Sequence, residues 1–250
     1  QTTGDSLSVI QNAAAVSQLL GDDDRTLALA DRLRTEFNST LAAWYGHFTT
    51  LLPSDPDAPT VERDDCGDDL AALAASESEL ARGQAALIRA IRAYARGDYE
   101  EMLAQSEAAG ELTVVGAANW FAALQTRAWA RYELGEYAQA IRIADEDIEQ
   151  AYRHGDRSAM IVPLAVYAIV LKSCNETEAV ATIRGRLPRR LTILMVRELA
   201  EIDRWLATEL PPDRRRELAS IGAGKTPREL QALVHEVAAG HFDLHEQPVA

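Results

Sequence analysis

The stretch that decides the fold is Leu134-Gly135-Glu136-Tyr137-Ala138-Gln139-Ala140, together with its earlier counterpart Arg96-Gly97-Asp98-Tyr99-Glu100-Glu101. Gly97 to Gly135 is 38 residues, and so is Tyr99 to Tyr137. Seven residues before each glycine stands a small residue, Ala90 or Ala128. A third, degenerate copy places Ala168 and Asn175 forty residues further on. Periods of this size mean stacked supersecondary units rather than a single folded layer. The physical logic is that of a helical hairpin. The small residue lets two helices approach closely, and glycine takes the positive φ of the turn between them, with asparagine the next most tolerant residue. Tyr99 and Tyr137 then open the second helix of each hairpin, and Ala140 is the small residue expected where the two helices cross, replaced by Met102 in the first copy.

Outward from this core the chain reads as helix almost everywhere. Leu7, Ile10, Ala14 and Leu19 mark a first helix over 5–20. The acidic run Asp22–Asp24 caps a second, expected to run unbroken from Arg25 to Leu52. Residues 53–69 hold three prolines, many aspartates and no periodicity, which predicts a loop or linker. One helix is expected from Leu70 to Tyr94. The apolar run Ala159–Leu171 reads as a buried helix too short to span a bilayer. Beyond Pro188, helices are expected over 191–210, 213–221 and 227–239, followed by a ten-residue tail.

These features resemble the tetratricopeptide repeat, whose turn reads G-x-Y-x-x-A seven residues after a small residue. The resemblance covers 84–187. It departs from the family's pattern in lacking the Trp of the first helix and the Pro after the second. The longer period is similar to the helical hairpins of bacterial regulators of the MalT type. The resemblance implies an all-α fold, with antiparallel hairpins stacked as a right-handed array and short helices as a C-terminal cap. The organisation is then 1–52 as an N-terminal helical hairpin, 53–69 as an acidic loop, 70–187 as repeats and 188–250 as cap and tail. It also implies a groove lined by the first helix of each hairpin. Carried across residue by residue, that groove is Gln84, Ile91 and Tyr94 in the first copy, Gln125, Trp129 and Tyr132 in the second, and Ile169 and Lys172 in the third. The plainer alternative is that Ile91 and Trp129 pack against a neighbouring hairpin.

The balance of 25 basic and 39 acidic residues gives a net charge of −14. Such a chain repels phosphate backbones, so nucleic-acid binding and docking on anionic membranes are disfavoured. Two distant cysteines, Cys66 and Cys174, make no disulfide framework and no paired-cysteine metal site. Two glycosylation triplets begin at Asn38 and Asn175 and would matter only outside the cell; the setting expected is cytoplasmic unless a leader precedes Gln1.

Four motifs compete with plainer readings. Ala219-Ser-Ile-Gly-Ala-Gly-Lys-Thr226 has the spacing of a phosphate-binding loop, but it follows a charged helix rather than a strand. Thr226, Pro227 and Glu229 instead spell a helix start with a capping box. His235, His241 and His245, with Glu236, Asp243 and Glu246, are metal-ligand types. Gly240 should keep them off one helical face, and a solvated tail is expected. Arg228-x6-His235 fits the loose pattern of HEPN-type helical ribonucleases, with His as acid and base. Asp145-Glu146-Asp147 with Glu149 reads as a solvated charged face. The function expected is therefore a non-catalytic protein- or peptide-binding module, regulatory or assembly-related, with no catalytic residues, metal or cofactor. Its alternatives are a HEPN-like ribonuclease and a structural protein that self-associates into homo-oligomers.

Overall fold

Segments rich in Ala, Leu and Arg, with apolar residues every three or four positions, form helices throughout. The computed structural model describes residues 3–20, 22–37, 41–51, 55, 67–116, 118–156, 159–188 and 196–244, and among these there are thirteen helices and no strand. The chain divides into two compact units, 1–113 with 190–197, and 114–189 with 198–250.

The first unit holds α1 (Thr3–Leu20), α2 (Asp23–Phe37), α3 (Leu41–Leu51), α4 (Gly67–Ala74), α5 (Glu79–Ala95) and α6 (Tyr99–Glu111). The Asp22 carboxylate accepts from the Arg25 amide and opens α2, as the acidic run predicts. The expected single helix over 25–52 is two helices, α2 and α3, which pack against each other and against α1. Their core is Ile10, Ala14, Ala30, Leu33, Ala42 and Tyr45, flanked by Leu7, Leu29, Phe37 and Trp44. The expected helix over 70–94 is also two. The Ser78 hydroxyl accepts from the Ala81 amide at 3.4 Å and starts α5 afresh. Serine at that position offers an orphan N–H a partner, which helical periodicity alone does not reveal. The acidic stretch 56–66, with Cys66, lies outside the described residues.

The second unit holds α7 (Ala118–Glu133), α8 (Tyr137–His154), α9 (Ile161–Ser173), α10 (Thr177–Arg186), α11 (Val196–Glu209), α12 (Pro212–Gly224) and α13 (Pro227–Ala238). Here α7 packs on α8 and α9, α8 on α9, and α9 on α10. Helix α9 is buried along nearly its whole length, as its continuous apolar run requires. Helices α10 and α12 approach at backbone distance. A Cβ on Gly222 would strike the carbonyl of Thr182, and one on Gly185 would strike the backbone of Ala219.

Three turns at the repeat spacing share one geometry, which the end of α8 at Gly155, with φ of 70°, also adopts. Gly97, Gly135 and Asn175 have φ of 72°, 77° and 60°, and Asn175 is the one non-glycine with positive φ among the described residues. At each, the amide of that residue bonds to the carbonyl three back: Gly97 to Tyr94, Gly135 to Tyr132 and Asn175 to Lys172, all at 2.9 Å. The next amide bonds five back: Asp98 to Ala93 at 2.9 Å, Glu136 to Arg131 at 2.8 Å and Glu176 to Leu171 at 3.0 Å. This paired closure satisfies carbonyls that a helix end leaves orphaned. Ala90, Ala128 and Ala168 are buried seven residues earlier, and Met102, Ala140 and Val180 five residues later. The tyrosine pairs also repeat, Tyr94 on Tyr99 at 6.4 Å and Tyr132 on Tyr137 at 5.6 Å, both tilted.

Candidate functional site

The residues assigned to a groove divide by burial. In the first unit, Ile91 is fully buried, while Gln84 and Tyr94 are half-buried on α5. In the second, Trp129 and Ile169 are each 1% exposed. Trp129 is spent inside its own helix, its indole N–H donating to Glu133 at 3.2 Å. Ile91, Trp129 and Ile169 therefore serve packing, and their side chains offer no surface to a ligand. Gln125, almost buried, donates to the Ala159 carbonyl at 3.4 Å and so ties α7 to the segment ahead of α9.

Tyr132 and Lys172 remain partly open to solvent. The Tyr132 hydroxyl lies 3.4 Å from the Ser173 hydroxyl. Burial raises its phenol above the ordinary range, partly offset by that hydrogen bond. Lys172 bonds Glu201 at 3.2 Å. A second tie to α11 joins Arg184 of α10 to Asp203 by two bonds of 2.8 and 2.9 Å. Leu199, Ile202 and Leu206 of the same helix are buried.

The acidic run on α8 is not one solvated face. Helical geometry splits it, since positions four apart share a face and the one between points away. Asp145 and Glu149 face α13. Asp145 accepts from the phenol of Tyr167, from Gln231 at 2.9 Å, and pairs with the His235 ring nitrogen Nε2 at 2.9 Å. Burial first, and then the Asp145 carboxylate, push the Tyr167 phenol well above its usual range, so it stays a donor. Glu149 pairs with Arg228 at 3.0 Å, and that guanidinium also lies 4.3 Å over the Tyr152 ring.

Asp147 is different. It is 1% exposed, and neither carboxylate oxygen has a hydrogen bond of normal geometry. Burial raises its pKa to about 8, with Gln125 close enough to ease it in part, while Glu146 and Asp156 push it further up. At neutral pH it is a neutral acid inside the helix bundle.

The sequence resembling a phosphate loop is not one. Gly222 and Gly224 lie within α12, and Gly222 is consumed in the contact with α10. Thr226 caps α13, and the Glu229 carboxylate bonds back to the Thr226 amide and hydroxyl, both at 2.7 Å. The histidines go to separate partners, His235 to Asp145 and His241 to Glu176 at 2.7 Å. The tail is not wholly solvated, because Phe242 packs edge-on to Tyr137 at 5.8 Å. His245 and Glu246 lie outside the described residues.

A cleft of about 770 Å³ opens between Tyr152, Met160, Ile161, Leu164, Arg186, Leu187 and the start of α13, its N-cap Thr226 and first residue Pro227. Its walls bring together no acid and base pair. No helix among the described residues is long and apolar enough to cross a membrane. No family model, no curated protein and no solved structure is matched by this chain.

Proposed function

We propose that the protein is a non-catalytic binding module, built on tetratricopeptide-like helical hairpins, that takes a protein or peptide segment. The observation that supports this is the recurrence of a helix-end turn at Gly97, Gly135 and Asn175, 38 and 40 residues apart, each with a buried alanine seven residues before it. Repeated hairpins present repeated helix faces, which suit recognition of an extended or helical segment. Ile91 supports such a face from beneath in the first unit, and Trp129 and Ile169 support one in the second. Tyr132 and Lys172 are the contact residues in the second unit, and Gln84 and Tyr94 in the first. Tyrosine supplies wide contact area with little rotamer freedom to lose.

Peptides selected from a random library on the immobilised protein test this. The selected peptides should bind wild type and lose at least tenfold in affinity to Tyr132→Ala or Lys172→Ala, with the far-ultraviolet circular dichroism at the assay temperature unchanged. Selection no better than from a scrambled library, or binding indifferent to all four contact residues, would overturn the proposal.

A helical ribonuclease is the second reading. The Asp145–His235 pair favours it, since a carboxylate on one ring nitrogen is how an acid–base histidine is oriented. Against it, Arg228 is held by Glu149 and Tyr152. Equal RNA cleavage by wild type and His235→Ala would remove this reading.

A further inference from the structure

The cleft beside Tyr152 lies wholly within the second unit and is lined by neither Tyr132 nor Lys172. Its apolar walls are already packed. Met160, Leu164 and Leu187 are 6%, 2% and 5% exposed, and Met160 belongs to a core cluster with Phe121 and Ala151 on which Tyr152 also packs. A preformed apolar cleft of about 770 Å³ has the size and character of a small-molecule site.

The charge around it is one-sided. Among the described residues of the wall, Arg186 is the one charged side chain. It is exposed and makes no ion pair among the described residues; its guanidinium donates to the Ala223 carbonyl at 3.4 Å. By contrast, Arg184 is held by Asp203 at 2.8 Å, Arg214 by Glu178 at 2.8 Å and Arg228 by Glu149 at 3.0 Å. Neither 157–175 nor 185–197, the stretches that supply most of the wall, contains an acidic residue, in a chain whose net charge is −14. The helix ends do not decide the sign. Helices α8 and α10 end at the cleft while α9 and α13 begin there, so their partial charges oppose one another. Arg186 sets the sign, and the sign is positive.

We propose that this cleft binds a small monocarboxylate with an apolar body, of the kind a medium-chain fatty acid presents. The carboxylate takes the N–H fork of Arg186, whose five donors leave several unspent after the bond to Ala223. The apolar body lies along Met160, Ile161, Leu164 and Pro227. A bare phosphate forgoes these walls, and an uncharged lipid forgoes the guanidinium, so the cleft favours a ligand that carries both parts.

Isothermal titration calorimetry of the intact protein with hexanoate, octanoate and decanoate, each below its micellar concentration, reads this directly. One site per chain is expected, tightening about three- to fourfold for each added methylene. Arg186→Gln changes an exposed side chain and keeps an N–H donor without the charge. It should weaken decanoate about five- to tenfold and leave decanol, which has no charge, bound as in wild type. Ile161→Glu sets a carboxylate against the ligand at the first residue of α9, where the helix end tolerates it, and should abolish decanoate binding. The absence of saturable binding by all three acids would overturn the proposal, as would equal decanoate affinity in wild type and Arg186→Gln. A peptide ending in a free Leu-Leu carboxylate that binds at least tenfold tighter than decanoate would assign the cleft to a protein C-terminus and overturn it too. Tyr132 and Lys172 take no part here, so this titration and the peptide selection can fail separately.

Discussion

Raising the pH from 5 to 9 should destabilise the second unit through Asp147, and Asp147→Asn should remove most of that loss. In the folded chain the carboxyl titrates at about 8 against an ordinary 3.8, because burial disfavours its anion. Below about pH 4 it is neutral both folded and unfolded, and it contributes no penalty. Between about 4 and 8 the unfolded chain has lost the proton while the folded chain keeps it. Each unit of pH then weakens folding by about 1.4 kcal/mol. At pH 7 the accumulated penalty is about 4 kcal/mol, and above about 8 it levels off. Asparagine has nearly the same shape and never ionises. Its extra amide hydrogens, set among buried atoms with Gln125 near, forfeit about 1–2 kcal/mol of the gain. The net expectation is a stabilisation of about 3–4 kcal/mol at pH 8 that shrinks as pH falls and becomes a loss of about 1–2 kcal/mol near pH 4. Urea unfolding of both proteins, followed by far-ultraviolet circular dichroism at five pH values, provides the comparison. The background from other titrating groups is shared and drops out of the difference. Parallel pH profiles for the two proteins would refute the reasoning, as would a wild type as stable at pH 8 as at pH 5.

The turns make a paired prediction. Gly135 has open space around it, so Gly135→Ala should lose about 1 kcal/mol from backbone strain alone, whereas Asn175→Gly should gain a few tenths to 1 kcal/mol at the equivalent turn; chemical denaturation of each variant decides both signs. Gly222→Ala should be far more damaging, at about 3 kcal/mol or more, because its methyl meets a backbone carbonyl of α10 that cannot step aside. A thermal midpoint within a degree of wild type would show that α12 can retreat.

What the sequence makes legible follows from which signals are local. The hairpin turns are legible because positive φ restricts the residue to Gly or Asn, and the restriction recurs at a fixed spacing. The break between α4 and α5 is hidden because apolar residues continue on both sides of Ser78, and a single capping serine is a weaker signal than periodicity. The helix-A face is only half legible. Trp129 and Tyr132 lie three residues apart on neighbouring parts of one helix surface, yet one is core and the other reaches solvent. Periodicity gives the direction of a side chain from the helix axis and not which neighbour meets it. Lys172 on the next hairpin likewise meets Glu201 of α11, 29 positions along the chain, a partner no local pattern reveals. The acidic run on α8 fails for a related reason. Its residues look alike in composition, but alternate positions face α13 and the bundle interior, where Asp147 has no charged partner.

The paired close approaches of α10 and α12 have a mechanical consequence. Gly185 against Ala219 and Gly222 against Thr182 pin the two axes at two separated points. A shift of α12 along its axis would carry Gly222 off Thr182 and Ala219 off Gly185, the two places where no side chain separates the backbones. The pair therefore cannot slide or shear in small steps. Any force applied to α12 passes to α10 as to a rigid strut, and through it to the Asn175 turn that begins α10.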